Sequence, residues 1–217
     1  MWYDTLIFEV TSMAIKYPNG KKYIPPKDNG ENRTKKDYSF SNRGKTLEDE
    51  INETNDYYLQ KGTAVIHKKP VPIQVVKVEY PSRSAAVIKE AYYRTASTTD
   101  FNGVWQGVHV DFEAKETKNK TSFPLSNIHA HQIDHMRLVT EQQGLCFLIV
   151  RFSMINRYFI LPFVPLINSW EEMGNGGRKS IPFDYFEQHA YEIVPGAYPP
   201  IDYLKAVAKM LSENPAK

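Results

Sequence analysis

Helical spacing of apolar residues, or a residue that favours a helix start, marks four segments of the chain. We predict helices over 46–62, 82–93, 126–144 and 200–213. The first has the clearest boundaries, because Thr46 and Asp49 form the pattern of a capping box and Gly62 is typical of a helix end. The second is predicted only from Ser82, a residue that commonly caps a helix.

Alternating or continuous apolar runs mark the strands between these helices. Strands are expected at 63–67, 73–80, 145–152 and 157–163, with a strand pair over 98–115. The turn of that pair is expected in the segment 101–107, at Asn102 and Gly103. Strands interleaved with helices in this order predict an α/β fold with a mixed β-sheet flanked by helices.

The N-terminal part of the chain differs from the rest in composition. Residues 16–45 are rich in Pro, Gly, Asn, Lys and Ser, have no hydrophobic period, and carry nine Lys and Arg against three acidic residues. We therefore expect residues 1–45 to form a flexible basic arm and residues 46–217 to form a single domain. Such a basic zone is able to bind a polyanion. Charge runs are also typical of solvated surface, so charge alone leaves nucleic-acid binding open.

Several functional classes are disfavoured by what the sequence lacks. The single cysteine, Cys146, excludes an intramolecular disulfide, and its apolar surroundings predict a buried, inert thiol. The longest apolar run, 145–150, is far shorter than the roughly 18 residues that span a bilayer, so we expect a cytoplasmic protein that does not bind membranes. No Ser or Cys nucleophile motif and no phosphate-binding glycine loop is present, which argues against acyl transfer and nucleotide hydrolysis.

The strand predicted to end at Lys115 carries a regular set of charged side chains. Asp111, Glu113 and Lys115 alternate with apolar residues and therefore share one face of the strand. A polar strand face most often contacts solvent. Asp100 is expected on the neighbouring strand, however, and two carboxylates on adjacent strands are suitable ligands for Mg²⁺ or Mn²⁺. Lys115 beside them could neutralise charge that develops on a phosphoryl oxygen.

Other polar residues suggest either a further ligand or a different metal. Thr98 lies on the same side of its strand as Asp100, so its hydroxyl could add a ligand. His131 and His135 have the one-turn spacing of a zinc-peptidase helix, but Gln132 replaces the general-base glutamate and cannot take a proton. Packing or surface histidines are the better interpretation. The Gln132 amide oxygen could face a metal, although a surface glutamine is the simpler alternative.

Seven runs of sequence match a family that is already known. They are 41-SNRGKTLEDEINETNDYY-58, 64-AVIHKKPVPIQVVKVEYPSRSAAVIKEAYY-93, 97-STTDFNGV-104, 111-DFEAKETKNKTSFPL-125, 129-HAHQIDHM-136, 176-GGRKSI-181 and 201-IDYL-204. They resemble the RecU family of bacterial Holliday junction resolvases, and the resemblance covers nearly all of the chain from Met13 onward.

The resemblance implies a restriction-endonuclease-like core, in which Asp100 and the run Glu113-Ala114-Lys115 form the characteristic pattern. Thr99 stands where that superfamily often has proline. The implied magnesium ligands are Thr98, Asp100, Glu113 and Gln132, and Mn²⁺ is expected to substitute. Lys115 is implied to stabilise the transition state. Asp111 and Glu48 are weaker candidates, since the resemblance does not require Asp111 to touch the metal.

The same resemblance implies how DNA is bound. A stalk at about 68–80 is expected to protrude toward the centre of the junction, with Lys68 and Arg83 in contact with DNA. The implied function is a structure-selective endonuclease that resolves Holliday junctions in recombination and DNA repair, by metal-dependent nicking of two strands of like polarity. A homodimer and association with the RecA recombinase are also implied. The alternative is a non-catalytic protein that binds, remodels or bridges junctions, which would have no need of the carboxylates.

Overall fold

The structure is a computed structural model that describes residues 45–82, 85–94 and 98–213. The described residues all belong to one compact unit, Tyr38–Lys217. The predicted basic arm lies outside the described residues except for Lys45, and so does Arg83. The division into an arm and a nuclease domain therefore stays a prediction.

Five helices and ten strands occur in the described part of the chain. The helices are α1 (Leu47–Lys61), α2 (Ala130–Glu141), α3 (Phe163–Gly174), α4 (Phe183–His189) and α5 (Tyr203–Glu213), with a short 3-10 helix at Leu125–Asn127. The strands are β1 (Val65–Lys68), β2 (Ile73–Ser82), β3 (Ala85–Tyr93), β4 (Phe101–Trp105), β5 (Val108–Thr117), β6 (Ser122–Pro124), β7 (Leu145–Phe152), β8 (Arg157–Pro162), β9 (Ser180–Pro182) and β10 (Tyr191–Ile193). None of these helices is long and apolar enough to cross a bilayer.

A six-stranded mixed sheet forms the centre of the molecule, in the order β1-β4-β5-β7-β8-β10. Only β5 and β7 run parallel, and the connection between them contains α2. Helices α1 and α5 pack on one face of the sheet, and α2, α3 and α4 pack on the other. The predicted α/β architecture, a mixed sheet flanked by helices, is confirmed.

Helix α1 begins and ends where the local sequence predicts. The Thr46 hydroxyl accepts a hydrogen bond from the Asp49 backbone N–H, and the Asp49 carboxylate accepts one from the Thr46 backbone N–H. Gly62 ends the helix with a φ of 64°, a conformation that glycine adopts without strain. Both signals lie within a few residues of the boundary they define, so they are visible in the sequence.

The turn between β4 and β5 lies four residues later than predicted. Gln106 and Gly107 form it, with φ angles of 49° and 81°, which suits a two-residue hairpin turn. Asn102 and Gly103 are instead inside β4, where they pair with Asp111 and Val110. Gly103 serves close packing, because a Cβ atom there would lie 2.5 Å from the Ile66 Cα in β1.

The predicted helix at 82–93 is wrong, because Ser82 ends strand β2 and Ala85–Tyr93 forms strand β3. It pairs with β2 in an antiparallel two-stranded sheet, from Ile73 opposite Tyr93 to Ser82 opposite Ala85. We call these two strands the β2–β3 ribbon. Almost all of its described side chains are exposed, and none belongs to either hydrophobic core. Its partner strand decides its conformation, and that long-range pairing outweighs a single capping residue.

Candidate active site

Asp100 and Glu113 lie side by side at one end of the β4–β5 pair. Asp100 directly precedes β4, and its backbone N–H donates a hydrogen bond of 3.0 Å to Glu113 Oε2. Glu113 is fully buried in the middle of β5. Burial, followed by a hydrogen bond with the Asp100 side chain, raises the pKa of Glu113 to about 7. A neighbouring carboxylate disfavours the ionised form of Glu113, and a bound cation would favour it.

Lys115 is two residues further along β5, on the same face as Glu113. Its Nζ lies 2.6 Å from Glu113 Oε1, and its side chain remains 21% exposed. The ammonium group is therefore both paired with the buried carboxylate and accessible from outside. The approach is close but not aligned as a hydrogen bond, so Oε1 is buried without a well-directed donor.

The donors at this site suit a hard divalent cation. Asp100 and Glu113 supply carboxylate oxygens, and the Glu113 Oε1 atom lacks an aligned donor. Oxygen donors of this kind favour Mg²⁺ or Mn²⁺ over zinc. Within residues 45–82, 85–94 and 98–213, no group of three or more His, Cys, Asp and Glu side chains has metal-binding geometry.

Thr98 and Gln132 are the two predicted metal ligands that would bind through a neutral oxygen. Thr98 is half-buried, and its hydroxyl donates a weak hydrogen bond of 3.3 Å to the Thr99 carbonyl. Gln132 is buried in the first turn of α2, where its Oε1 accepts a hydrogen bond of 3.0 Å from the His129 backbone N–H. No hydrogen bond between described residues joins Gln132 to Asp100 or Glu113. An amide oxygen has two lone pairs, so the contact with His129 leaves one for another partner.

Lys68 and Glu48 line a cleft beside Asp100. The cleft has a volume of about 340 Å³ and is also bordered by Thr98 and by residues 69–72. Lys68 Nζ forms an ion pair with the Glu48 carboxylate, and this hydrogen bond is the main cause of the raised pKa of Lys68. The cleft therefore brings Glu48, a weaker candidate for the site, next to Lys68, the predicted DNA-binding residue.

Asp111 is 1% exposed and lies in a hydrogen-bonded network. Its Oδ1 accepts a hydrogen bond from the Thr99 hydroxyl, and its Oδ2 is 2.8 Å from Lys69 Nζ and 3.1 Å from His135 Nε2. Both oxygens of Asp111 are therefore occupied by protein groups. The sequence interpretation does not include Lys69 or Thr99 in the site. Lys68 and Lys69 are consecutive at the end of a strand, so their side chains are expected to point in opposite directions, but the sequence does not show which of them faces the core.

The two histidines considered for zinc do not converge. His135 contacts Asp111, whereas the His131 ring stacks on His129 with centroids 5.4 Å apart. His135 therefore belongs to the Asp111 network. The packing interpretation of these histidines agrees with their contacts.

The sequence matches one family over most of its length. Residues 42–209 match the family described as RecU, Recombination protein U. This chain belongs to the RecU family. A protein named Holliday junction resolvase RecU from Geobacillus kaustophilus is 56% identical over 195 residues, which are 90% of this chain and 96% of that protein. The relative of the same name from Lactiplantibacillus plantarum is 52% identical over 203 residues, 93% of this chain and 98% of its own length. The resemblance found in the sequence is confirmed.

Proposed function

We propose that this RecU-family chain is a structure-selective endonuclease that resolves Holliday junctions by metal-dependent nicking of two strands of like polarity, in recombination and DNA repair. One observation carries the proposal most directly. Asp100, Glu113 and Lys115 are adjacent, in a chain whose relatives are named Holliday junction resolvases. A protein that only binds DNA has no use for buried carboxylates where phosphates approach, since they repel the ligand.

The site has a distinct role for each residue. Asp100 and Glu113 hold the divalent cation, Mg²⁺ with Mn²⁺ as a substitute, and the oxygens of Thr98 and Gln132 complete the protein ligands. When bound, such an ion supplies Lewis-acid chemistry for water activation and for neutralising phosphate charge. Lys115 keeps a positive charge beside Glu113, where its exposed portion can contact a phosphoryl oxygen in the transition state. The apolar core on the opposite face of β5 keeps these groups in place.

The β2–β3 ribbon is the proposed stalk. It begins after the linker 69–72, so the stalk predicted at about 68–80 extends through β3 to Tyr93. The proposed DNA contacts are Lys68, which directly precedes that linker, and Arg83, which lies outside the described residues. Exposed residues on both strands let the ribbon contact the branch point by shape and phosphate charge.

The proposed assembly is a homodimer. A Holliday junction has two strands of like polarity to cut, and a two-fold pair of chains presents two equivalent active sites in matching symmetry. Association with the RecA recombinase and a cytoplasmic location complete the proposal. A sedimentation measurement at micromolar concentration tests the dimer, since a monomer that cuts both strands equally would contradict it.

Cleavage of a synthetic four-way junction tests the central proposal. We expect paired nicks in two opposed strands with Mg²⁺ or Mn²⁺, no nicks in EDTA, and little cutting of a linear duplex of the same sequence. The matched control is E113Q, which keeps the shape of the side chain and removes its charge. A wild-type protein that binds junctions tightly but never nicks them would favour the non-catalytic alternative.

A further inference from the structure

Lys68 and Lys69 are consecutive at the entrance to the ribbon, and their side chains point in opposite directions. Lys68 faces the cleft, where it pairs with Glu48. The Lys69 side chain is only 18% exposed and turns inward to the Asp111 carboxylate, 2.8 Å away. A buried carboxylate requires a compensating charge, and Lys69 supplies it. Lys69 is therefore unsuited to be a simple phosphate contact.

Lys69 forms two hydrogen bonds to the segment Thr99–Asp100. Its backbone N–H donates to the Asp100 carbonyl at 2.7 Å. Its Nζ donates to the Thr99 hydroxyl at 2.9 Å, and that hydroxyl in turn donates to Asp111 Oδ1. Thr99 is thus fixed between Lys69 and Asp111, and it directly precedes Asp100.

The backbone of Asp100 is held on both sides of the residue. Its N–H is bound to Glu113 Oε2 at 3.0 Å, and its carbonyl is bound to the Lys69 N–H. The position of the Asp100 carboxylate relative to Glu113 therefore depends on where Lys69 lies. Asp111, two residues before Glu113 on β5, anchors Lys69 to the same strand.

The ribbon begins shortly after Lys69. Residues 70–72 are Pro-Val-Pro, and each proline ring restricts one backbone torsion. The base of the ribbon closes at this point, where the Arg94 backbone N–H donates to the Pro72 carbonyl at 2.9 Å. Only this three-residue connection separates the base of the ribbon from Lys69, which is itself bonded to the Asp100 carbonyl.

We infer that Lys69, anchored on Asp111, is a positioning residue that fixes the Thr98–Asp100 segment against Glu113 and joins the base of the ribbon to the metal site. The inference rests on the proposed metal-dependent cleavage. It assigns Asp111 a role as anchor and not as a metal ligand. Groups that orient ligands without touching the metal commonly change affinity or activity by about 10- to 100-fold when they are removed.

Three variants test this role. K69M keeps the length of the side chain and removes its charge, K69R restores a charge that can pair with Asp111, and T99V removes only the bridging hydroxyl. The matched control is E50Q, which breaks a buried ion pair with Arg151 on the opposite face of the sheet. Each protein is assayed for Mn²⁺ affinity by calorimetry without DNA, for junction affinity without divalent metal, and for single-turnover nicking.

We expect K69M to lower Mn²⁺ affinity and nicking rate by about 10- to 100-fold while junction affinity changes by less than about threefold. K69R should recover part of both effects, and T99V should show a smaller reduction of the same kind. E50Q should lower the melting temperature and leave Mn²⁺ affinity unchanged, which separates positioning from general destabilisation.

The inference is overturned if folded K69M binds Mn²⁺ and nicks junctions like the wild type, or if its junction affinity falls in proportion to its rate. Should K69M fail to fold, unchanged Mn²⁺ affinity in T99V overturns the inference instead. A wild-type protein that binds Mn²⁺ but never nicks junctions would contradict the proposed function but not the positioning role of Lys69. The Mn²⁺ affinities of the variants would still decide the role of Lys69.

Discussion

Phe112 and Glu113 are consecutive residues of β5, and both are completely buried, on opposite faces of the sheet. Phe112 stacks between Phe101 and Phe147, with ring centroids 5.1 and 4.9 Å away. These stacked rings hold β5 against β4 and β7 at the level of the active site. The position of a carboxylate that would bind metal is thus set by aromatic packing on the reverse side of the same strand.

Replacement of Phe112 by alanine should destabilise the protein strongly. Removal of a buried phenylalanine ring leaves a cavity and costs about 3–5 kcal/mol. Urea unfolding followed by circular dichroism measures the change in free energy of unfolding. M154A in the exposed turn between β7 and β8 is the control, with an expected change within about 0.5 kcal/mol. Equal effects of the two variants would mean that the aromatic stack does not support the sheet.

Replacement of Lys115 by alanine should separate DNA binding from cleavage. One ammonium group contributes little to a multi-phosphate interface, but an electrostatic donor to the transition state is worth about 100- to 1000-fold in rate. We expect nearly unchanged junction affinity and a rate reduced by that factor. K205A on α5, which removes an exposed lysine paired with Asp202, is the matched control. A parallel fall in affinity and rate would identify Lys115 as a DNA-binding residue only.

Stability without divalent metal should fall as the pH rises from 4.5 to 7. The pKa of Glu113 is raised from an ordinary 4.5 to about 7, mainly by burial, so the folded protein retains a proton that the unfolded chain releases. The folded state then binds more protons, and the free energy of unfolding decreases with pH across this interval. Thermal melts at several pH values in EDTA measure the slope. E113Q should flatten it, and an unchanged slope in E113Q would contradict the assignment.

Deletion of residues 16–40 should weaken junction binding and reduce its dependence on salt. The deleted segment contains seven Lys and Arg. For every phosphate that the shortened protein no longer neutralises, the slope of log affinity against log salt should become shallower by about 0.9. Binding titrations at several KCl concentrations give this slope. An unaltered slope would show that the arm does not lie on DNA.

The parts of the fold that could be predicted are those defined by nearby residues. The ends of α1 follow from Thr46 and Gly62, and the opposed faces of β5 follow from strict alternation. Strand β3 is wrongly predicted as a helix because its conformation depends on pairing with β2, which no local pattern reveals. Gly103 is predicted as a turn residue because the residues around it do not indicate that the backbone of β1 packs directly against it.

The candidate site divides in the same way. Asp100, Glu113 and Lys115 could be nominated from spacing and resemblance, because they belong to one hairpin. The inward direction of the Lys69 side chain could not be predicted, because its partner Asp111 is 42 residues away in the chain. Asp111 lies on the predicted face of β5, but only the fold shows that Thr99, Lys69 and His135 already occupy its oxygens.

The close approach at Gly103 gives this residue an importance that its chemistry does not suggest. Its lack of a side chain allows β1 to lie against β4, and β1 ends in the lysine that pairs with Glu48. A single added methyl group would push an edge strand outward and displace both Lys68 and the start of the ribbon. Substitution of Gly103 by alanine should therefore disturb the candidate site, although glycine contributes no side-chain atom to it.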